Sequence, residues 1–464
     1  MTALEEISAL DAHAQAALVR SGEVLPLALL DAAIARIETI NPLVNAVCHS
    51  AFDHARDAIA TIDTIVGKAA PMAAVPYLLK ASMEYPGFPH VSGSRIKTGV
   101  LGKHKYPFAR RLDEAGLIPC GIATMPEFGL IGTGEALAYG PTRNPWNLDH
   151  SSGGSSSGSA VAVATGMVPF ATGSDGGGSI RIPASHCGII GFKPSRTWNL
   201  RARGVALMDD LLASDGLMGR SMRDTIWAAH HLRSQPAGMI GLDRPLRIAL
   251  CHHGLDGLSP DDDIASMVGE AGKMCEALGH HVTPCDVPLN MPALSRAFDI
   301  LWSYGAGEVV DIYHAKMGAA ADAQLEPWTL GLARRREGIT PDELANAFAT
   351  VGQINMMLES FWQHYDVVLS PVASSTAPPL GVLAPDRDFE ALWADHFRHV
   401  NYTQLQNMAG YPGISLPLMN AANGMPAGAM FWGKYGSDDL LLSLGAQLET
   451  AYPWAERKPT LPTA

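Results

Sequence analysis

Between Ser151 and Ser185 the chain reads SSGGSSSGSAVAVATGMVPFATGSDGGGSIRIPAS, two glycine- and serine-rich turns separated by an apolar insert. Nothing else in the sequence restricts the fold as much. Gly/Ser runs ordinarily make flexible linkers, but a linker has no reason to carry SAVAVATG, which reads as a small-residue helix, and VPFATG, which reads as a strand. A site built from two tight turns does. Glycine-rich turns also cradle phosphates through exposed N–H groups; here the Gly-Lys-Ser/Thr ending of a Walker loop is missing, and GSDGGGS is not GxGxxG. Gly154-Ser155-Ser156-Ser157-Gly158 matches the GxSxG of a nucleophile elbow with Ser156 at its centre. An elbow needs a strand immediately before it, and NPWNLDHSS reads as polar and turn-like. In the remaining reading both turns form one acyl-transfer site. A hydroxyl nucleophile needs a base and a set of donors for the oxyanion. Gly176, Gly177 and Gly178 precede Ser179, and without β-carbons they can aim consecutive N–H groups at one spot.

The rest of the chain alternates helix and strand. PLALLDAAIARIETIN predicts a helix from Pro26, stopped by Asn41-Pro42. LVNAVC follows as a strand, AFDHARDAIATID as a helix and AAVPYLLK as a buried strand ending at Lys80. FARRLDEAGL is helical, LIPCGIA and YDVVLSPV are strands, and Ser259-Pro260 with Asp261 to Asp263 opens a helix running to Gly279. This is α/β organisation without a repeat, a linker or a compositional break. Hydrophobic residues at 47% against 17% charged supply one large core.

The net charge of −13 and scattered basic residues exclude a nucleic-acid partner. His252-His253 and His280-His281 lack the spacing of metal ligands and read as polar residues flanking strands. Six cysteines without a CxxC pair fit a reducing compartment. Glu5 and Glu6 stand where a signal peptide would be basic, and no apolar run approaches the roughly 20 residues of a membrane span. The expected location is the cytoplasm.

The segments AVPYLLK, ARRLDEAGLIPCGIATMPEFGLIGTGEALAYGPTRNPWN, GGSSSGSAVAVATG, GSDGGGSIRIPASHCGIIGFKPS and the C-terminal PGISLPLMNAANGMPAGAMFWGKYGSDDLLLSLGAQLE together resemble the amidase signature family over nearly the whole chain. The resemblance implies a mixed twisted β-sheet covered by helices in one domain over 1–464. That domain would comprise a helical N-terminal segment (about 1–65), a signature core (about 73–230) and a variable substrate-side and C-terminal part (about 231–464). It implies a triad in which Lys80 is the base, Ser155, after a cis peptide, relays the proton, and Ser179 is the nucleophile. Gly176, Gly177, Gly178 and Ser179 would form the oxyanion hole, with Ser156, Asp175 and Arg181 as supports. A pocket segment from Phe128 through Gly129, Leu130 and Ile131 to Gly132 is expected, and no metal or other cofactor. Three positions depart from the family pattern: Ser157 for a glycine, Gly176 for a bulkier residue and Ala81 for an aspartate. WTLGLARRREGITPDELANAF and the C-terminal ending are most similar to the branch containing the nylon-oligomer cyclic dimer hydrolase and related amidases and urethanases. The implied activity is hydrolysis of small amides or carbamates by a monomer or homodimer. The alternative is a transamidosome-type glutamine amidase subunit acting with a partner.

Overall fold

The computed structural model describes residues 3–65 and 70–462. Eleven strands build its main sheet: β1 (Val47–Ser50), β2 (Pro76–Lys80), β3 (Ile118–Ala123), β4 (Phe170–Asp175), β5 (Gly191–Lys193), β6 (Ser214–Met218), β7 (Arg247–Leu250), β8 (His281–Pro284), β9 (Val367–Pro371), β10 (Gly413–Asn420) and β11 (Pro426–Trp432). They form two ladders, β1-β3-β2-β4-β6 and β5-β10-β11-β9-β7-β8. A single antiparallel bridge, Ile190 to Gly219, joins the ladders where β5 approaches β6. β2 pairs in parallel with both β3 and β4, while β6 runs antiparallel to β4. The sheet is therefore mixed, as expected.

Burial on both faces explains the composition of the central strands. Every side chain of β2 and β3 is buried, so PYLLK and IPCGIA read as unbroken apolar runs rather than alternating ones. The helix Ser157–Ala164 is buried at all eight positions, which only serine, glycine, alanine and valine allow at this closeness. Gly158 sits where a β-carbon would lie 2.1 Å from the Ala46 carbonyl oxygen and 2.4 Å from the Thr124 nitrogen.

Three expectations need correction: the helix stop at Asn41-Pro42, the start of the strand read in LVNAVC, and the turn-like reading of NPWNLDHSS. The helix begun at Pro26 passes through Pro42 and ends at Val44, capped by Asn45 in the left-handed region. Pro42 forfeits the hydrogen bond its N–H would give the Glu38 carbonyl without ending the helix, and the Asn41 side chain organises the exit by accepting from the Ala46 and Val47 N–H groups at 2.8 Å each. Leu43 and Val44 are accordingly helical, and the strand starts at Val47. NPWNLDHSS is no simple turn: Asn147–Ser151 is a short strand paired antiparallel with Arg143–Asn144. Glu5 and Glu6 lie in a helix, Ala3–Ala9, and among the described residues no helix is long and apolar enough to cross a membrane.

The crowding at Gly158 gives a direct test. Gly158→Ala should destabilise the protein by about 1–3 kcal/mol through overpacking, read as a lower urea midpoint. Gly176→Ala should be nearly neutral in the same assay, because its β-carbon would meet Trp302 at an ordinary 3.6 Å.

Candidate active site

Lys80 closes β2 and is 1% exposed. Its backbone N–H donates to Thr172 Oγ1 on β4 at 2.8 Å, fixing where the side chain leaves the strand. Nζ lies 2.7 Å from Ser155 Oγ, 2.7 Å from Ser174 Oγ and 3.3 Å from the Ser174 carbonyl oxygen. No carboxylate hydrogen-bonds it among the described residues. Burial lowers its pKa to about 7; the charge of Arg203 adds to this, and Asp215 and Asp175 oppose it. The amine is therefore neutral in a large share of molecules near neutral pH. A neutral amine has two hydrogens and one lone pair, so with three partners at least one must donate to it. A carbonyl cannot, and one of the two serine hydroxyls must.

Ser155 follows the cis peptide Gly154–Ser155, the position expected for it. Gly154 has no alternative, since a β-carbon there would lie 2.2 Å from the Thr133 carbonyl oxygen. Ser156 turns away from the open space: it is fully buried, and its Oγ meets the Ser174 N–H at 3.3 Å and carbonyl at 3.4 Å. Its own N–H donates to the Ser179 carbonyl at 3.1 Å. The two Gly/Ser turns are thus bonded to each other, and the GxSxG match has no exposed hydroxyl at its centre.

Asp175 ends β4, and Arg181 begins the short helix Arg181–Cys187. Both are fully buried. Arg181 Nε and a terminal nitrogen each bond the Asp175 carboxylate at 2.9 Å. Its other donors reach Gln406 Oε1 at 2.8 Å, the Thr403 carbonyl at 2.8 Å and Asn407 Oδ1 at 2.7 Å. Burial alone would raise the Asp175 pKa, but the Arg181 charge and hydrogen bonds hold it far below the usual carboxylate range. The carboxylate also takes the N–H groups of Gly178 at 2.8 Å and Ile180 at 3.2 Å.

That last contact corrects the oxyanion-hole assignment. Gly178 spends its N–H on Asp175, so it is not available to a substrate oxygen, whereas Asp175 does not engage the amides of Gly176, Gly177 and Ser179. Gly178 is glycine for a steric reason instead: its φ is +124°, and a β-carbon would fall 2.2 Å from Thr403 Oγ1.

Ser155, Ser174, Gly176 and Ser179 open onto a cleft of about 440 Å³. Lys80 does not line it and reaches it only through Ser155 and Ser174. One wall is apolar, formed by Met125, Phe128, Leu130, Leu301, Trp302 and Ala306; Lys97, Arg203 and Glu84 are among the polar residues lining it. Of the predicted pocket segment, Phe128, Gly129 and Leu130 line this cleft. Ile131 and Gly132 do not; they face a separate cavity of about 20 Å³, because Gly132 is held by His396 Nε2, which accepts its N–H at 2.8 Å.

Ser174, Thr403, Gln406, Asn407 and Trp302 escaped the sequence reading. Ser174 was within reach: VPFATGSD as a strand places Thr172 and Ser174 on one face, the face that meets Lys80. The other four come from remote segments without a local signal. The histidine pairs lie elsewhere. His281 begins β8, His280 bonds the Leu246 N–H and Gln447, His253 pairs with Asp286, and His252 follows β7. Among the described residues no group of three or more His, Cys, Asp or Glu side chains is placed to hold a metal ion.

With this geometry established, comparison with known proteins is decisive for the class. The Amidase family model matches residues 28–442, and the chain belongs to that family. It is a hydrolase of amide carbon–nitrogen bonds. Its relatives include the putative amidase AmiC of Mycobacterium tuberculosis, 35% identical, with 96% of this chain and 95% of that protein covered. The 6-aminohexanoate-cyclic-dimer hydrolase of Paenarthrobacter ureafaciens is 32% identical over 97% of this chain and 96% of its own. A solved structure of 6-aminohexanoate cyclic dimer hydrolase complexed with substrate superposes with a TM-score of 0.89 at 30% identity, covering 98% and 99% of the two chains.

Removing the guanidinium while leaving Asp175 buried tests the brace. Arg181→Met should destabilise the protein by about 3–5 kcal/mol. Arg201→Ala, which breaks the half-exposed pair with Asp210, should stay within about 1 kcal/mol. Both are read by urea unfolding.

Proposed function

We propose that the protein hydrolyses amides with hydrophobic acyl or aryl groups, and some carbamates, through an acyl-enzyme on Ser179. The observation that carries this reading is the 2.7 Å contact between the buried Lys80 amine and Ser155 Oγ, with Ser155 lining the cleft that Ser179 also lines. In this reading neutral Lys80 draws a proton from Ser155 as Ser155 takes one from Ser179, and the Ser179 oxygen attacks the carbonyl carbon. Gly176, Gly177 and Ser179 supply N–H groups to the oxyanion. The proton then returns through Ser155 to the leaving nitrogen as the carbon–nitrogen bond breaks, the step that makes amides harder to cleave than esters. Ser174, bonded to the same amine, keeps Nζ aimed at Ser155 in both protonation states. Asp175 and Arg181 hold the glycine turn and carry no proton.

The substrate class follows from the cleft and from the relatives. The wall of Met125, Phe128, Leu130, Leu301 and Trp302 favours an apolar group next to the scissile bond, and each methylene buried there contributes about 0.8 kcal/mol. A relative is named acylamidase, and the cyclic-dimer hydrolases act, by their name, on a dimer of 6-aminohexanoate. Carbamates present the same carbonyl to Ser179 and need room for one further heteroatom.

The test is kcat/KM for anilides of increasing acyl length, measured from acid to alkaline pH with chelator present and no second protein. Activity should rise with acyl length. The sign of the pH effect is fixed by Lys80: the base form works, and its pKa is lowered to about 7, so activity is full above that pH and falls about tenfold per unit below it. Lys80→Ala should abolish turnover. Activity confined to glutamine or asparagine, or a profile untouched by Lys80→Ala, would refute the reading.

A further inference from the structure

The charged side chains lining the cleft are Glu84, Lys97, Arg203, Asp209 and Glu308. Arg203 is committed to Asp209 and Asp215, and Glu84 spends Oε1 on the N–H groups of Lys103 at 2.7 Å and His104 at 3.0 Å. Lys97 is different. Its Nζ donates to Ser92 Oγ at 2.8 Å and forms no ion pair with a carboxylate among the described residues. An ammonium has three hydrogens, so two of them lack a protein acceptor there.

Ser92 fixes where this ammonium stands. It lines the cleft together with Lys97, and its backbone is held in the left-handed region at φ +47°. Its N–H donates to the Ala81 carbonyl at 3.0 Å, and its own carbonyl accepts the Phe128 N–H at 2.8 Å. Lys97 ends the short turn Arg95–Lys97, and just before that turn Ser94 Oγ donates to Glu127 at 2.5 Å. The ammonium is therefore set beside the Phe128 end of the apolar wall. His90, which also lines the cleft, feels its charge: burial lowers the His90 pKa and Lys97 lowers it further. Burial draws Lys97 itself down to about 8, with Glu84 opposing and Lys316 adding to the shift, so the side chain is a cation at neutral pH. The charges that shift Lys80 are those of Arg203, Asp215 and Asp175; Lys97 is not among them and stands apart from the triad. A half-buried cation held without a counter-charge bears a desolvation cost that an anion brought by a ligand relieves.

We propose that Lys97 is a specificity-determining residue and that the cleft prefers amides whose apolar group carries a carboxylate, seated on the Lys97 ammonium. The inference rests on the reading that this cleft hydrolyses amides with apolar groups, and it names the charge those groups bear. The apolar part of the substrate lies along Met125 and Phe128, and its carboxylate accepts from the two free Nζ hydrogens. Ser92 keeps the third hydrogen and so holds the ammonium in place. The carboxylate takes no part in bond breaking. It decides which amides are held with their carbonyl at Ser179.

Two matched substrate series at neutral pH test this. In the first the acyl half varies: the anilides of hexanoic acid (neutral), adipic acid (one free carboxylate) and 6-aminohexanoic acid (ammonium). In the second the amine half varies: the hexanoyl amides of aniline, 4-aminobenzoate and 4-aminobenzylamine, joined through the ring nitrogen. In at least one series kcat/KM should be about tenfold higher for the carboxylate than for the neutral member, the scale of a charge-assisted hydrogen bond. The series that shows it identifies the half of the substrate lying against Phe128. Lys97→Met should erase the preference, Lys97→Arg should keep it, and Lys97→Glu should turn it toward the ammonium member. Each preference is a ratio taken within one variant, so a general loss of folded enzyme does not move it. Equal or lower kcat/KM for the carboxylate in both series would overturn the proposal, as would a preference that survives Lys97→Met. Should the unsubstituted enzyme cleave none of these amides, the neutral ones included, the fault would lie in the amide reading beneath, and the proposal would fall with it.

Discussion

Arg181 and Asp175 are buried together without exposure to water, and a pair of charges in that setting persists only when their remaining hydrogen-bonding capacity is met. The surrounding structure meets it from both halves of the sheet. Asp175 ends β4 in the first ladder, while Thr403, Gln406 and Asn407 come from the segment that leads into β10 in the second. Asn407 returns the contact by donating to the Asp175 carbonyl at 2.8 Å. The glycine turn between Asp175 and Ser179 is held at the centre of this network through the Gly178 N–H. Its shape is thus set by charge burial at the seam of the two ladders.

Lys80 shows the opposite use of burial. Its amine is as deeply placed as the guanidinium of Arg181, but its hydrogen-bonding neighbours are hydroxyls and a carbonyl. A guanidinium keeps its proton under any such condition, whereas an ammonium without a counter-charge loses it readily. Burial alone does not make a base, however. Lys193 is also fully buried and its pKa is likewise lowered to about 7, yet its Nζ bonds the Pro194 carbonyl at 2.9 Å and it does not line the cleft. The difference is position: the hydroxyls bonded to Lys80 belong to Ser155 and Ser174, and both open onto the cleft beside Ser179.

What the sequence made legible was what it stores locally. Lys80 at the end of an apolar strand, the paired Gly/Ser turns and the Asp175 to Arg181 loop each lie within a few residues of the features that explain them. Most strand and helix identities through the first half follow for the same reason, Leu43, Val44 and Asn147–Ser151 being the exceptions. Pro42 does not end its helix because the Asn41 side chain, not proline, decides where that helix stops. Gly178 looked like an N–H donor for a substrate because its missing β-carbon was visible and its partner Asp175 Oδ1 was not. Ile131 and Gly132 failed as cleft residues because His396, far away in sequence, fixes the backbone there. The cleft wall itself, with Leu301, Trp302 and Ala306 from the long helix Met291–Met317, depends on tertiary packing that no local pattern encodes.

The central claim is that Ser179, served by Lys80 through Ser155, is the group that attacks the carbonyl. A fluorophosphonate probe, followed by peptide mapping of the adduct, tests it most directly. The account predicts a single adduct on Ser179 at neutral pH and strongly slowed labelling in Lys80→Ala. An adduct on Ser155 or Ser156, or labelling of Ser179 that proceeds equally fast without Lys80, would contradict it.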